Sequence, residues 1–124
     1  MPWKLSLTNG KGAEAENSAL LFLQQQGLTL LQRNFACKTG EVDLIMLDHS
    51  TLVFVEVRYR GPSQCGNAAS SIDRSKQHKI RKTAAVYLQK YRQHSHRICR
   101  FDAISIDNQD ATGQNSLQWM KSAF

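Results

Sequence analysis

Two neighbouring runs in the middle of the chain, residues 40–47 and 52–60, read with a period of two, apolar and polar side chains alternating over Glu41-Val42-Asp43-Leu44 and Glu56-Val57-Arg58-Tyr59-Arg60. Both runs are rich in Val, Ile, Leu and Phe. Such a period belongs to a β-strand with one buried face, and the break Asp48-His49-Ser50-Thr51 between them makes the pair an antiparallel hairpin. Whether the loop is His49-Ser50 alone or all four residues 48–51, residue i then faces residue 99 − i. Asp43 comes opposite Glu56, and Glu41 opposite Arg58. Directly opposed side chains have Cβ atoms about 4.5–5.5 Å apart, where like charges are destabilising. A bound cation would cancel the repulsion between Asp43 and Glu56, which marks the hairpin as a candidate metal site.

The flanking patterns supply the other elements. Residues 9–26 carry a helical period stopped by Gly27. Ala13, Leu20 and Leu23 form its apolar stripe, and Glu16 falls on the same stripe. A carboxylate turned towards the core is costly unless something pairs with it, although an acid near a helix N-terminus is also favoured by the dipole alone. Residues 28–36 read as a strand. After the hairpin, residues 61–71 contain Gly, Pro, Asn and Ser and form a loop long enough to reach a ligand. Asp73 caps a second helix running to about Tyr91. Ile80, Ala84, Tyr87, Leu88 and Tyr91 make its buried stripe, with Lys79, Lys82 and Lys90 on the far side. Lys76 and Gln77 border that stripe near the helix start and can face the hairpin. Residues 100–107 form another strand, and Leu117-Gln118-Trp119-Met120 a short last one. The order is α-β-β-β-α-β with a terminal strand, an α/β chain.

At 124 residues the chain is expected to form one domain, residues 1–124. No apolar run approaches the roughly 20 residues of a membrane helix, and the N-terminus lacks the apolar core of a signal peptide. A cytoplasmic protein without a membrane partner is expected. Cys37, Cys65 and Cys99 are widely spaced, with no C-x-x-C, and read as reduced thiols. His94 and His96 read as solvated. Charge changes the picture more. The net charge is +6, and nine lysines and arginines lie between Arg74 and Arg100 with no carboxylate among them. Glu14, Glu16, Glu41, Asp43, Asp48 and Glu56 all lie in the first half. A cationic arm beside an acidic pocket suits phosphodiester chemistry, one part holding phosphates and the other a metal. A merely solvated helix face would normally interleave acids.

The segment Gly40-Glu41-Val42-Asp43-Leu44-Ile45, followed by Val53-Phe54-Val55-Glu56-Val57-Arg58-Tyr59-Arg60, resembles the PD-(D/E)xK nuclease signature. More narrowly it resembles the YraN family of predicted endonucleases, distantly similar to archaeal Holliday junction resolvases. Three further segments agree with that family in order: Glu16 to Gly27 with its Ala19 and Leu23, Arg74-Ser75-Lys76-Gln77-His78-Lys79, and Cys99-Arg100-Phe101-Asp102.

The resemblance implies a restriction-endonuclease-like core, a central mixed sheet flanked by helices, and hydrolysis of DNA, including branched or structured DNA. It implies that Asp43, Glu56 and the backbone carbonyl of Val57 hold a divalent ion and that Glu16 completes the cluster. Oxygen-only ligands suit Mg²⁺ or Mn²⁺ over zinc. In E-x-K the first and third residues share one strand face, so the third can offset charge developing on phosphorus. Here the third residue is Arg58, which gives charge and bidentate phosphate contacts but cannot readily act as a base. Arg60, Lys76, Gln77 and Lys79 are the candidates for phosphate contacts, and Glu41 and Asp102 for support of the acidic cluster. Resolvase-like folds often cut as dimers, which adds a homodimer to the implied nucleic-acid partner. Two other readings stay open. One is a nucleic-acid-binding protein that keeps the scaffold without cutting. The other is a plain ion-pair network in which Glu41 pairs with Arg58 and Asp43 with a lysine elsewhere.

Overall fold

A computed structural model describes residues 10–60, 72–108 and 115–124. The loop expected over residues 61–71, with Cys65, lies outside the described residues. The chain runs α1 (Gly10–Gln25), β1 (Thr29–Cys37), β2 (Gly40–Asp48), β3 (Thr51–Arg60), α2 (Arg74–Lys90), a 3-10 turn (Arg92–His94), β4 (Cys99–Asn108) and β5 (Asn115–Met120). This is the α-β-β-β-α-β order with its terminal strand. The five strands lie in the spatial order β1-β2-β3-β4-β5. Every neighbouring pair is antiparallel except β3 and β4, which are parallel. Parallel neighbours need a crossover, and α2 lies on the one between these two.

The hairpin takes the expected register. Leu44 pairs with Val55, Ile45 with Phe54, and so on to Asp48 with Thr51. His49 opens the turn in the left-handed region, at φ 57°.

Each face of the sheet carries its own core. On the α2 side Phe35, Ile45, Leu52, Phe54, Ile80, Ala84 and Tyr87 pack together, with Tyr87 edge-on to Phe35 and to Phe54. On the α1 side Ala15, Ala19, Leu23, Leu44, Met46, Val53, Val55 and Ile104 form the second cluster. Burying an apolar side chain of this size is worth about 1.5–3 kcal/mol, so both layers hold the helices firmly.

The buried face of α1 differs from the expected stripe. Ala15, Ala19 and Leu23 are buried, while Ala13 and Leu20 are half-buried flanks. Alanines carry little hydrophobic signal, yet small residues at every fourth position bring a helix close to the sheet. Both helix ends are closed as anticipated. Gly27, at φ 100°, leads Leu28 to donate its N–H to the carbonyl of Leu23 at 3.0 Å. Asp73 Oδ1 accepts the N–H of Lys76 at 2.8 Å, the N-cap of α2. Among the described residues no helix is long and apolar enough to cross a membrane.

Candidate functional site

Strand pleating breaks at Asp43. Val42 pairs with Phe35 on the β1–β2 ladder, and both pack on the α2 side. Leu44, two residues along, packs on the α1 side. Strict alternation would put Val42 and Leu44 on one face, so β2 turns over between them. The opposing strand turns over at the same rung. Arg33 reaches α1, where its Nη2 donates to Asn17 Oδ1 at 2.9 Å, whereas Phe35 meets Tyr87. Asn34, between them and opposite Asp43, takes the left-handed conformation at φ 51°.

On its other side β2 parts from β3. The ladder between them ends at Leu44–Val55. Leu52 donates its N–H to the carbonyl of Ile98, just ahead of β4, at 2.9 Å. Even-numbered residues of β3 therefore turn their backbone groups towards β4, and odd-numbered ones towards β2. The N–H of Val57 thus points where β2 has left the ladder, and Asp43 Oδ2 accepts it at 2.8 Å. Within a strand, N–H and C=O of one residue point the same way, so the Val57 carbonyl opens onto the same gap.

Glu56, one residue back, faces α2 and is only 5% exposed. Lys76 Nζ lies 2.9 Å from its Oε2, and Arg58 Nη1 lies 3.7 Å away. The capped first turn of α2 places Lys76 there. Asp43, Glu56, Glu41, Lys76 and Lys79 share a cavity of about 370 Å³. Gly40 forms part of its wall and has φ 147°, a conformation side chains rarely adopt. A Cβ at Gly40 would come within 3.4 Å of Thr83 Oγ1, so β2 lies close to α2 here.

The acids here raise one another's proton affinity. Burial, and then the charge of Glu56, push the Asp43 carboxyl up to about 8, against the relief given by the Val57 N–H. Glu16 and Glu41 add to the repulsion. Burial also raises Glu56, while the hydrogen bond and charge of Lys76, then the charge of Arg58, hold it down. A carboxyl that resists ionising because it is buried, with a second one beside it, is what a bound cation would relieve.

Glu16 comes to Asp43 from the α1 side. Asn34 Nδ2 donates to both of its oxygens, at 3.2 and 3.1 Å, and Arg33 Nη2 lies 3.4 Å from Oε1. Neither Asn34 nor Arg33 was singled out from the sequence. The polar run Gln32-Arg33-Asn34, between Leu31 and Phe35, was the available signal.

Other residues fall elsewhere. Glu41 does not lie across from Arg58, because β2 has left β3 by then. It pairs with Ala36 of β1 while Arg58 pairs with Ser105 of β4. Gln77 spends its amide on the carbonyl of Ile72 at 2.9 Å. Lys79 is exposed on the cavity rim. The side chain of Arg60 lies outside the described residues. Asp102 is wholly buried on the α1 side, across the sheet from the cavity. It accepts Arg100 Nε at 2.9 Å, Trp119 Nε1 at 2.9 Å and Ser122 N–H at 3.0 Å. That makes Asp102 the anchor of the C-terminal segment. His94 is half-buried rather than solvated. It stacks on Tyr87 and accepts Arg97 Nε at 2.9 Å. Cys37 and Cys99 are free thiols. Among the described residues no three His, Cys, Asp or Glu side chains converge as a ready-made chelate.

The profile described as "Uncharacterised protein family UPF0102" matches residues 15–106. The chain belongs to this family. The matched span carries Glu16, Asp43, Glu56, Arg58 and Lys76 together. A UPF0102 protein of Psychromonas ingrahamii is 47% identical over 124 residues, covering 100% of this chain and 97% of its own. One from Pseudomonas savastanoi is 50% identical over 113 residues, covering 91% of each chain. Another from Pseudomonas fluorescens is 46% identical over 124 residues, covering 100% of this chain and 98% of its own. UPF0102 relatives thus extend along the whole fold and not merely the hairpin.

Proposed function

We propose that this UPF0102 protein is a metal-dependent endonuclease that hydrolyses DNA phosphodiester bonds, with branched or structured DNA among the substrates to be tested. One observation carries the reading. Asp43 and Glu56, two carboxyls that repel each other, share one cavity with Arg58 beside them and a basic helix at its rim. The resemblance to the YraN and PD-(D/E)xK nucleases supports it, since Asp43 and Glu56-Val57-Arg58 stand at the matching strand positions of a restriction-endonuclease-like element order.

The donors fit a hard divalent ion. Asp43, Glu56 and the Val57 carbonyl offer oxygen only, which suits Mg²⁺ or Mn²⁺. A divalent ion bound there supplies the Lewis acidity that opens a phosphodiester to attack by water. Arg58 is permanently charged, so its part is to stabilise negative charge on the phosphoryl oxygens rather than to move a proton. Glu16, steadied by Asn34, adds negative charge behind Asp43. Lys79 and the exposed lysines and arginines of α2 hold the flanking phosphates, a contact that weakens steeply with salt.

The test is a divalent-ion screen of cleavage on single-stranded, duplex, flap and four-way DNA, run with wild type, Asp43→Asn and Glu56→Gln. Cleavage by wild type in Mg²⁺ or Mn²⁺ and none by folded variants supports the reading. Equal cleavage by all three overturns it.

A second reading has one observation in its favour. The ammonium of Lys76 already stands 2.9 Å from Glu56, where a cation would neutralise it. A nucleic-acid-binding protein without catalysis would keep that pair permanently. It would bind DNA in EDTA and give no products with any divalent ion.

A further inference from the structure

Glu56 is 5% exposed, and a cation stands against it. A buried carboxylate without a partner is strongly disfavoured, and Lys76 supplies that partner. Lys76 is built differently from the acid it serves. Its backbone is pinned by the Asp73 cap, but its side chain is 41% exposed, on a flexible four-carbon stem. Lys79, one helical turn on, opens from the same cavity to solvent. The lysine can therefore leave Glu56 for the rim without moving the helix.

Glu56 Oε2 already faces both Lys76 Nζ at 2.9 Å and Arg58 Nη1 at 3.7 Å. A divalent ion on Glu56 brings a dication to the carboxylate that Lys76 neutralises. The ammonium then stands beside a dication and the Arg58 guanidinium, and like charges repel it outward. A DNA phosphate at the rim is the anion that meets it.

We propose that Lys76 couples the two ligands of the site, neutralising Glu56 in the free protein and passing to a DNA phosphate when a divalent ion takes Glu56. The inference rests on the metal-dependent reading above and assigns Lys76 as a positioning residue. Two ligands linked through one group in this way must strengthen each other equally. Metal binding tightens DNA binding, and DNA tightens metal binding.

The experiment measures affinity for a fluorescent duplex in EDTA and in Ca²⁺, with circular dichroism to confirm the fold of each variant. Wild type is expected to bind at least about five-fold tighter in Ca²⁺, the lower end of ordinary site-to-site coupling. Lys76→Gln loses most of that gain. Lys79→Gln binds more weakly in both buffers but keeps the wild-type ratio. Glu56→Gln, with Lys76 released, binds DNA tighter in EDTA than Glu41→Gln does, and adding Lys76→Gln abolishes that advantage.

A Lys76→Gln protein that retains the full Ca²⁺ gain overturns the coupling and leaves the nuclease reading standing. An equal loss of the ratio in Lys79→Gln also overturns it, because general charge would then explain the effect. If wild type shows no Ca²⁺ gain the coupling falls. Calorimetric titration of the protein alone with Mg²⁺ then decides whether the metal site falls with it.

Discussion

Asp43 accepts the amide hydrogen of Val57 at 2.8 Å, and this one bond stands in for the ladder rung that would have closed β2 onto β3. The carboxylate serves as backbone acceptor and as site acid at once. Its two tasks can be separated by substitution.

Asn and Ala at position 43 are both neutral, but only Asn keeps an oxygen for the Val57 N–H. Asp43→Asn should be more stable than Asp43→Ala by about 1–3 kcal/mol, the cost of an unsatisfied buried donor. Urea unfolding of the two variants checks this. Equal midpoints would mean that water replaces the carboxylate freely.

Stability should fall with rising pH on account of Asp43. Its carboxyl has an ordinary value of 3.8 and is pushed up to about 8 in the fold. Between those values the folded state keeps a proton that the unfolded chain has lost, so the slope of unfolding free energy with pH is negative. The contribution is complete below pH 4, declines from there, and is gone above pH 8. Glu56 shifts in the same direction. Asp43→Asn should lack the Asp43 part, so wild type loses ground to it steadily across this window. Parallel pH profiles for the two proteins in denaturant melts would sink the assignment.

Asp102 should matter for folding and not for the cavity. Asp102→Ala strips an acceptor from Arg100, Trp119 and Ser122 in a fully buried place. A loss of about 3–5 kcal/mol is expected, typical for breaking a buried ion pair from one side. Trp119 emission should shift with it. Calorimetric Mg²⁺ affinity of the folded fraction should match wild type, and a change there would place Asp102 in the site.

Asn34 pays for a left-handed backbone to hold Glu16. Asn34→Ala keeps the awkward conformation without the amide, and side chains in that region cost about 1–2 kcal/mol. Asn34→Gly removes that strain while still freeing Glu16. The glycine variant should therefore unfold later than the alanine variant, and both should weaken divalent binding alike. Unchanged Mg²⁺ affinity in both would reduce Asn34 to a backbone role.

Much of the frame was legible from local pattern alone. The two-residue loop His49-Ser50 fixes the register, since a slip of one residue would exchange the faces of Ile45 and Phe54 with those of their neighbours. Asp73 and Gly27 mark helix ends through bonds spanning only a few residues. The face of α1 was less legible, because Ala15 and Ala19 bury well but signal weakly. Asp102 read as support for the acidic cluster, because its partners Trp119 and Ser122 lie 17 and 20 residues away.

What the sequence by itself determined is the order of elements, the hairpin register and the set of charged residues brought near one another, because periodicity and caps act between neighbours in the chain. The folded molecule alone decided that β2 turns over at Asp43, that Asn34 turns over opposite it, and that Lys76 meets Glu56. Those outcomes depend on two helices packing on opposite faces of one sheet, and no stretch of chain carries that competition within itself.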